Sequence, residues 1–351
     1  MKLIRSRKTL LRIALAATIA ALAGCGQNGS NTQEEGKVNV VTSFYPLYFF
    51  AKEIGGEHAN VVNLIAAGVE PHEWTPKSRD LDAASNAQLF LYNGAGLEGW
   101  VDNFLNGLGS GSQVLTVEAS KGIELIQGNP EHGHDHGDHS DENADEHADE
   151  HADEHADEHA DEHADENGEE GGHSHSGLDV DPHTWTSPRS ALVMAANIRD
   201  AFVKVDPANE SAYESRYSEL EKKLKELDDQ FTQGLAGYER RDIVVSHQAF
   251  GYLCRDYHLN QIAIMGLSPE AEPRAQDLLE IAKFVKENGI PYIFFEELVS
   301  EQLAETLARE AKVDTLVLNP IEGLTPEQEK AGENYFTLME RNLENLQKAL
   351  Q

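Results

Sequence analysis

The chain has 351 residues, with 62 Asp and Glu against 28 Lys and Arg and a formal net charge of −34 at pH 7. That balance excludes nucleic acid as a partner, because a polyanion would be repelled. The length fits one large or two ordinary domains, and an apolar fraction of 40% is enough for a core.

The chain opens on a leader. Lys2, Arg5, Arg7, Lys8 and Arg12 form a basic head, and the apolar run Ile13–Leu22 that follows is too short to span a bilayer. It ends in Leu22-Ala23-Gly24-Cys25, so residues 1–25 read as a secretory signal peptide. The Leu-Ala-Gly-Cys ending resembles a bacterial lipobox. The resemblance implies that Cys25 is lipidated and becomes the mature first residue. Lipid would then anchor the protein to the outer face of the plasma membrane without spanning it. The alternative is an ordinary signal peptide that happens to carry a cysteine. Polar residues 26–37 read as a flexible tether. Cys254 is the other cysteine of the two, so lipidation of Cys25 leaves no intramolecular disulfide. Cys254 itself reads as a small core residue.

Beyond the tether, short apolar runs alternate with amphipathic ones. Val38–Thr42, Val61–Ile65, Gln88–Tyr92 and Gln113–Val117 read as strands. Pro46–Ile54, Ser78–Asn86 and Glu98–Leu105 have helical spacing, and Pro46 suits a first helical turn. A further helix is expected over Ser187–Val205. Within Ser211–Leu235, Tyr213, Tyr217, Leu220, Leu224, Leu227 and Phe231 recur at intervals of three and four, which predicts one long amphipathic helix. Strands are expected again at Ile243–Ser246, Gln261–Ile264, Tyr292–Phe295 and Thr315–Leu318. Helices are expected at Ala249–Tyr257, Arg274–Asn288, Ser300–Ala311 and Pro326–Leu350. Two sets of four βα units on either side of a long helix imply an α/β fold of two (β/α)4 lobes with parallel sheets. The expected division is an N-terminal lobe at 38–209, a linking helix at 210–236 and a C-terminal lobe at 237–351. Ligands of such sheets sit at the carboxyl ends of the strands, here in the cleft between lobes.

An unusual tract interrupts the first lobe at residues 131–175. It holds 11 of the 16 histidines and 19 of the acidic residues, with no Lys or Arg. The histidines are His132, His134, His136, His139, His147, His151, His155, His159, His163, His173 and His175, and HADE repeats five times from His147 to Glu166. Imidazole and carboxylate are common divalent-metal ligands, so the tract points to metal. Acids stacked at a period of four repel one another, and the free tract is expected to be disordered. It would bind several ions weakly, as a collector or a sensor beside a tighter site. The bland alternative is a dispensable solvated loop.

Five histidines lie outside the tract. His72, in PHEWTP, follows the second strand. His183, in DPHTW, stands where the tract rejoins the fold, and His247, in SHQAFGY, follows the first strand of the second lobe. The first two share Pro-His with a Trp two residues on; the Pro stiffens the backbone and an aromatic can exclude water. All three fall at strand ends on the rim of one cleft, which outweighs the reading of each as an ordinary structural histidine. His58 and His258 fall at the opposite strand end and read as surface residues. A fourth ligand is open among Glu322, Glu296, Glu297 and Glu272. Glu73, Asp181 and Glu272 are candidates to orient the ligand rings, since a ligating His donates its other N–H to an acid or carbonyl.

PHEWTP, the His-rich insertion, DPHTW, SHQAFGY, and IFFEELVSEQLAETLAREAKV followed by LNPIEGLT resemble the metal-binding lipoproteins of bacterial ABC importers for zinc or manganese, of the high-affinity zinc uptake type. The similarity runs from the lipobox to the final helix. It implies two (β/α)4 lobes joined by one long rigid helix, and four ligands that map onto His72, His183, His247 and Glu322. The 75-position interval from His247 to Glu322 resembles the family's third-to-fourth spacing and favours Glu322. Manganese members resemble a two-His, two-carboxylate site. Three imidazoles and one carboxylate suit Zn²⁺ instead.

The resemblance further implies a monomer that hands Zn²⁺ to an ABC permease and its ATPase. A manganese-binding member, or a surface metal buffer or adhesin, are the alternatives. A zinc hydrolase would keep an open coordination position; here a fourth ligand is at hand, HExxH is missing, and no enzymatic activity is expected.

Overall fold

A computed structural model describes residues 36–109, 111–128, 180–269 and 273–351. The leader with Cys25, most of the tether, the tract at 131–175 and Glu272 lie outside the described residues.

Two four-stranded, all-parallel sheets organise the chain. The first contains β1 (Val38–Thr42), β2 (Ala59–Asn63), β3 (Leu89–Tyr92) and β4 (Leu115–Glu118), in the order β2-β1-β3-β4. The second contains β5 (Asp242–Val245), β6 (Asn260–Ala263), β7 (Tyr292–Phe295) and β8 (Asp314–Val317), in the equivalent order β6-β5-β7-β8. The crossovers are α1 (Tyr45–Gly55), α2 (Ser78–Ser85) and α3 (Val101–Gly107) in the first lobe, then α6 (Gly251–Tyr257), α7 (Ala275–Glu287) and α8 (Gln302–Ala311) in the second. Between the sheets run α4 (Pro188–Val205) and the 26-residue α5 (Glu210–Leu235). The chain closes with α9 (Pro326–Ala331) and α10 (Tyr335–Ala349).

Alternation along the strands splits each sheet between two cores, as a period of two requires. Val40, Leu89, Leu91, Ile243, Val245 and Phe294 face one central core that runs through both lobes and takes in Trp185, Tyr213, Leu224, Phe231 and Tyr335. The intervening residues face outward into separate satellite cores: Val41 and Phe90 meet Ala84 and Phe104, while Val244 and Ile293 meet Ile281 and Leu307. The apolar stripe of α5 lies wholly in the central core, with Tyr213, Leu220, Leu224, Leu227 and Phe231 all buried. The long helix is thus packed along its length against both lobes. Among the described residues no helix is long and apolar enough to cross a membrane.

Two helices differ from expectation by more than two residues, for local reasons. The helix expected from Glu98 starts at Val101, because the Glu98 side chain is turned into the sheet, where it accepts from Ser43 Oγ at 2.6 Å and from the Asn93 N–H at 2.8 Å. The single helix expected over 326–350 is two. Gly332 ends α9 at φ 76°, a left-handed position that suits glycine, and Asn334 caps α10 by accepting from the N–H groups of Phe336 and Thr337.

Candidate metal centre

Each lobe contributes loops at the carboxyl ends of its strands, and four side chains converge there. His72 lies in the loop after β2. Glu70 Oε1 accepts its backbone N–H at 2.9 Å, which fixes the turn before the ring. His183 sits where the chain re-enters the fold, beside an antiparallel bridge between Gln127 and Val180. Its segment is gripped from both lobes. In the first, Asn93 Nδ2 donates to Pro182 O at 2.9 Å and Thr184 Oγ1 donates to Asn93 Oδ1 at 3.1 Å. In the second, Tyr252 OH donates to Asp181 O, and Tyr335 OH to Trp185 O, each at 2.7 Å. His247 follows β5 directly. Glu322 lies in the loop after β8.

The ring orientations come from acids. Asp181 Oδ1 accepts the His183 N–H at 2.9 Å and lies 2.8 Å from its Nδ1. Glu296 does the same for His247: Oε1 accepts the backbone N–H at 3.1 Å and Oε2 stands 2.7 Å from Nδ1. An Nδ1 of His183 that donates to Asp181 leaves the Nε2 lone pair for the cleft, whereas His247 Nδ1 meets Glu296 as a close ion pair without the alignment of a hydrogen bond. Glu296 follows β7, which neighbours β5, so two adjacent strand ends supply the ring and its partner. Glu297 turns the other way and accepts from Asn319 Nδ2 at 2.6 Å and Gln328 Nε2 at 2.7 Å. Glu73 is exposed, its own N–H donating to Glu70. Of the two tryptophans expected to shield the site, Trp185 packs on His183 at 5.4 Å between centroids, whereas Trp74 packs on Trp100 at 5.3 Å. His258 is exposed at the left-handed cap of α6, and His58 packs edge-on to Tyr213.

The four inward atoms form a compact figure. His183 Nε2 lies 3.2 Å from His72 Nε2 and 3.3 Å from His247 Nε2. Glu322 Oε1 lies 3.4, 3.3 and 3.4 Å from the Nε2 atoms of His72, His183 and His247. A regular tetrahedron has an edge about 1.6 times its centre-to-corner distance. Five of the six separations among the four atoms are 3.2–3.4 Å, the edge length of a tetrahedron whose centre lies about 2.0–2.1 Å from its corners, the zinc–imidazole and zinc–carboxylate distance, and all four atoms lie within 4.8 Å of one another. These side chains are 0–4% exposed, and the buried Glu322 Oε1 has no hydrogen-bond partner among the described residues. A buried carboxylate oxygen facing three imidazole nitrogens is costly unless a cation or protons sit among them.

Charge within the cluster shows the same demand. Burial disfavours the charged form of His183, but Asp181 and Glu322 outweigh it and lift its pKa. Burial likewise opposes protonation of His247, and Glu296 with Glu322 lifts its pKa well above the ordinary value. Burial would raise the Glu322 carboxyl; His72, His183 and His247 hold it well below the usual carboxylate range. In the absence of metal, protons supply part of the positive charge that the site is built to hold.

Two α/β lobes around a buried group of three imidazoles and one carboxylate define a two-lobed binding protein with a group of side chains that could hold a metal ion. Residues 40–349 match the family model of ZnuA, "Zinc-uptake complex component A periplasmic", and the chain belongs to this family. It is 38% identical over 339 residues to the high-affinity zinc uptake system protein ZnuA of Bacillus subtilis, with 96% of each chain covered. It is 39% identical over 314 residues to the zinc-binding lipoprotein AdcA of Streptococcus pneumoniae strain R6, covering 90% of this chain and spanning 56% of that protein's length. The fold matches the crystal structure of the Zn(II)-bound ZnuA-like domain of S. pneumoniae AdcA at a TM-score of 0.69, with 36% identity over 90% of this chain and 99% of that one.

Proposed function

We propose that this chain captures Zn²⁺ outside the cytoplasmic membrane and passes it to an ABC permease driven by its ATPase, with His72, His183, His247 and Glu322 as the ligands. The observation that carries this reading is the convergence of three Nε2 atoms and one carboxylate oxygen, five of whose six separations are 3.2–3.4 Å, the spacing of tetrahedral zinc ligands. Three nitrogens against one oxygen favour zinc over manganese, which prefers more oxygen ligands. The family and its zinc-binding relatives agree with that choice. Capture and release need no covalent step, so the protein works as a binding protein and not an enzyme.

The chain acts as a monomer, held to the outer membrane face by lipid on Cys25, with lobes at 38–209 and 237–351 joined by the helix of 210–236. The tract at 131–175 collects zinc near the cleft. Competition titration on the soluble form lacking residues 1–25 and 131–175 tests the site. One tight zinc site, lost in His247→Ala and weak for manganese, is expected; no tight site would leave the tract as the only metal chemistry. Deleting 131–175 and measuring uptake at limiting zinc tests the collector, which unchanged uptake would refute.

A further inference from the structure

Among the described residues Glu322 Oε1 has no hydrogen-bond partner to aim it, yet it stands within 3.4 Å of three ring nitrogens. Its direction must come from the backbone, and that backbone is unusual. Ile321, immediately before it, is fully buried and has φ 59°. A β-branched residue is an outlier in the left-handed region, because its Cβ crowds the following carbonyl. Such a conformation persists only where the surroundings over-determine it.

The surroundings converge on Asn319, two residues earlier. All four of its polar groups are engaged. Its side-chain Oδ1 accepts the Ile321 N–H at 2.7 Å, and its Nδ2 donates to Glu297 Oε2 at 2.6 Å. Its backbone N–H donates to Asn342 Oδ1 at 2.8 Å, and its carbonyl accepts from Asn342 Nδ2 at 2.6 Å. The Asn342 amide thus reads both backbone groups of Asn319 from α10 and is 2% exposed. The flanks are tied down as well: Pro320 O accepts from Trp185 Nε1 at 2.7 Å, and Leu324 O accepts the Gly68 N–H at 2.7 Å. The loop is fixed at either side of Glu322, with the strained residue between the clamp and the ligand.

We propose that Asn342, acting through Asn319, is a positioning residue for the metal site: it locks Ile321 in the left-handed conformation that turns the Glu322 carboxylate toward His72, His183 and His247. Without the clamp, Ile321 relaxes to an ordinary conformation and the carboxylate swings away. The inference rests on the zinc-binding reading above and extends it to a residue that touches no ligand atom.

The test is a double-mutant cycle on the full chain. Zinc affinity is measured by competition with a tight chelator for the wild type, Asn342→Ala, Glu322→Ala and the double variant, with the visible absorption of bound Co²⁺ as a second readout. Asn342→Ala should weaken zinc by about 10- to 100-fold, the range for residues that orient metal ligands. In the Glu322→Ala background it should have less than about a twofold effect, because the group it positions is gone. The Co²⁺ spectrum of Asn342→Ala should move toward that of Glu322→Ala. Equal losses in both backgrounds, or no loss in either, overturn the proposal. If Asn342→Ala does not fold, Asn342→Asp carries the same cycle; it keeps the acceptor for the Asn319 N–H and removes the donor to its carbonyl. A wild type without a tight zinc site would instead refute the functional reading itself.

Discussion

Gly251→Ala should damage the metal site without touching a ligand. Gly251 opens α6, and a methyl group there would overlap Asp181 Oδ2, with Ile126 Cδ1 at 3.3 Å and Gln261 Nε2 at 3.4 Å closing the other sides. Asp181 cannot yield freely. It is fully buried, and its Oδ1 holds both the N–H and the Nδ1 of His183 at 2.9 and 2.8 Å. Oδ2 has no hydrogen-bond partner among the described residues, so the carboxylate should pivot on that side and pull Oδ1 from the ring. Losing the acid that orients a ligating imidazole weakens metal binding by about 10- to 100-fold, or about 1.4–2.7 kcal/mol. Ala also restricts the unfolded chain more than Gly, which offsets part of the clash, so metal-free stability should fall less than affinity. Chelator competition reads the affinity, and thermal unfolding of the metal-free protein reads the stability. A folded Gly251→Ala protein with zinc affinity within about twofold of wild type would refute the orienting role of Asp181.

Zinc binding should expel protons near neutral pH. The raised pKa values of His183 and His247 mean that these rings carry protons in the metal-free protein above the ordinary imidazole value of 6.5, so affinity should tighten as pH rises from there; calorimetry in buffers of different ionisation enthalpy checks it, and a proton count near zero refutes it. The raised rings stabilise the metal-free fold fully below pH 6.5 and cease to do so above their folded pKa, while the lowered Glu322 contributes above pH 4.5 and is lost on acidification. The cluster's contribution should therefore be greatest between those values, which pH-dependent denaturation checks. Zinc at 100 times its Kd should stabilise the protein by about 2.7 kcal/mol, and an equal thermal shift from the same concentration of manganese would contradict the donor set. Trp185→Phe leaves Pro320 O without its 2.7 Å donor and a gap beside Phe44, so stability should drop by roughly 2–3 kcal/mol; an unchanged denaturant midpoint would contradict it.

The alternation of apolar runs was enough to place both sheets, because strands buried on both faces announce themselves as short β-branched and aromatic stretches. β1 and β7 match expectation residue for residue, while β2 starts two residues early, where Ala59 and Asn60 extend the ladder to Val38 and Asn39 through backbone bonds that carry no apolar signal. The long helix was legible because its stripe repeats over seven turns. His72 and His247 were legible as strand-end residues, whereas His183 follows an isolated bridge at Val180 and no sheet strand; the structure brings His72, His183, His247 and Glu322 together. What stayed hidden depends on contacts between distant segments. Glu296 was a candidate ligand, and only the adjacency of β5 and β7 reveals it as the partner of His247 Nδ1. Asn342 lies 23 positions from Asn319, on the amphipathic face of a helix whose period marks it only as buried.

The central core has a consequence for release. A protein that closes on its ligand by a wide hinge needs two cores with a thin, solvated joint between them. Here Phe44, Trp185, Tyr213, Phe231 and Tyr335 belong to one continuous core, and α5 packs in it from end to end. Opening the lobes would expose that apolar surface at about 25 cal/mol for each Å². Trp185 links the lobes twice, through its Nε1 to Pro320 O and through its carbonyl to Tyr335 OH, both at 2.7 Å. Metal must therefore leave by local rearrangement of the ligand loops. The loop best suited is that of Glu322, where one residue already sits in a conformation that its own side chain disfavours. If Glu322 is a ligand as proposed, relaxing Ile321 would withdraw it without separating the lobes, and α10, which holds this loop through Asn342 and the His183 segment through Tyr335, is the element whose displacement should weaken the site.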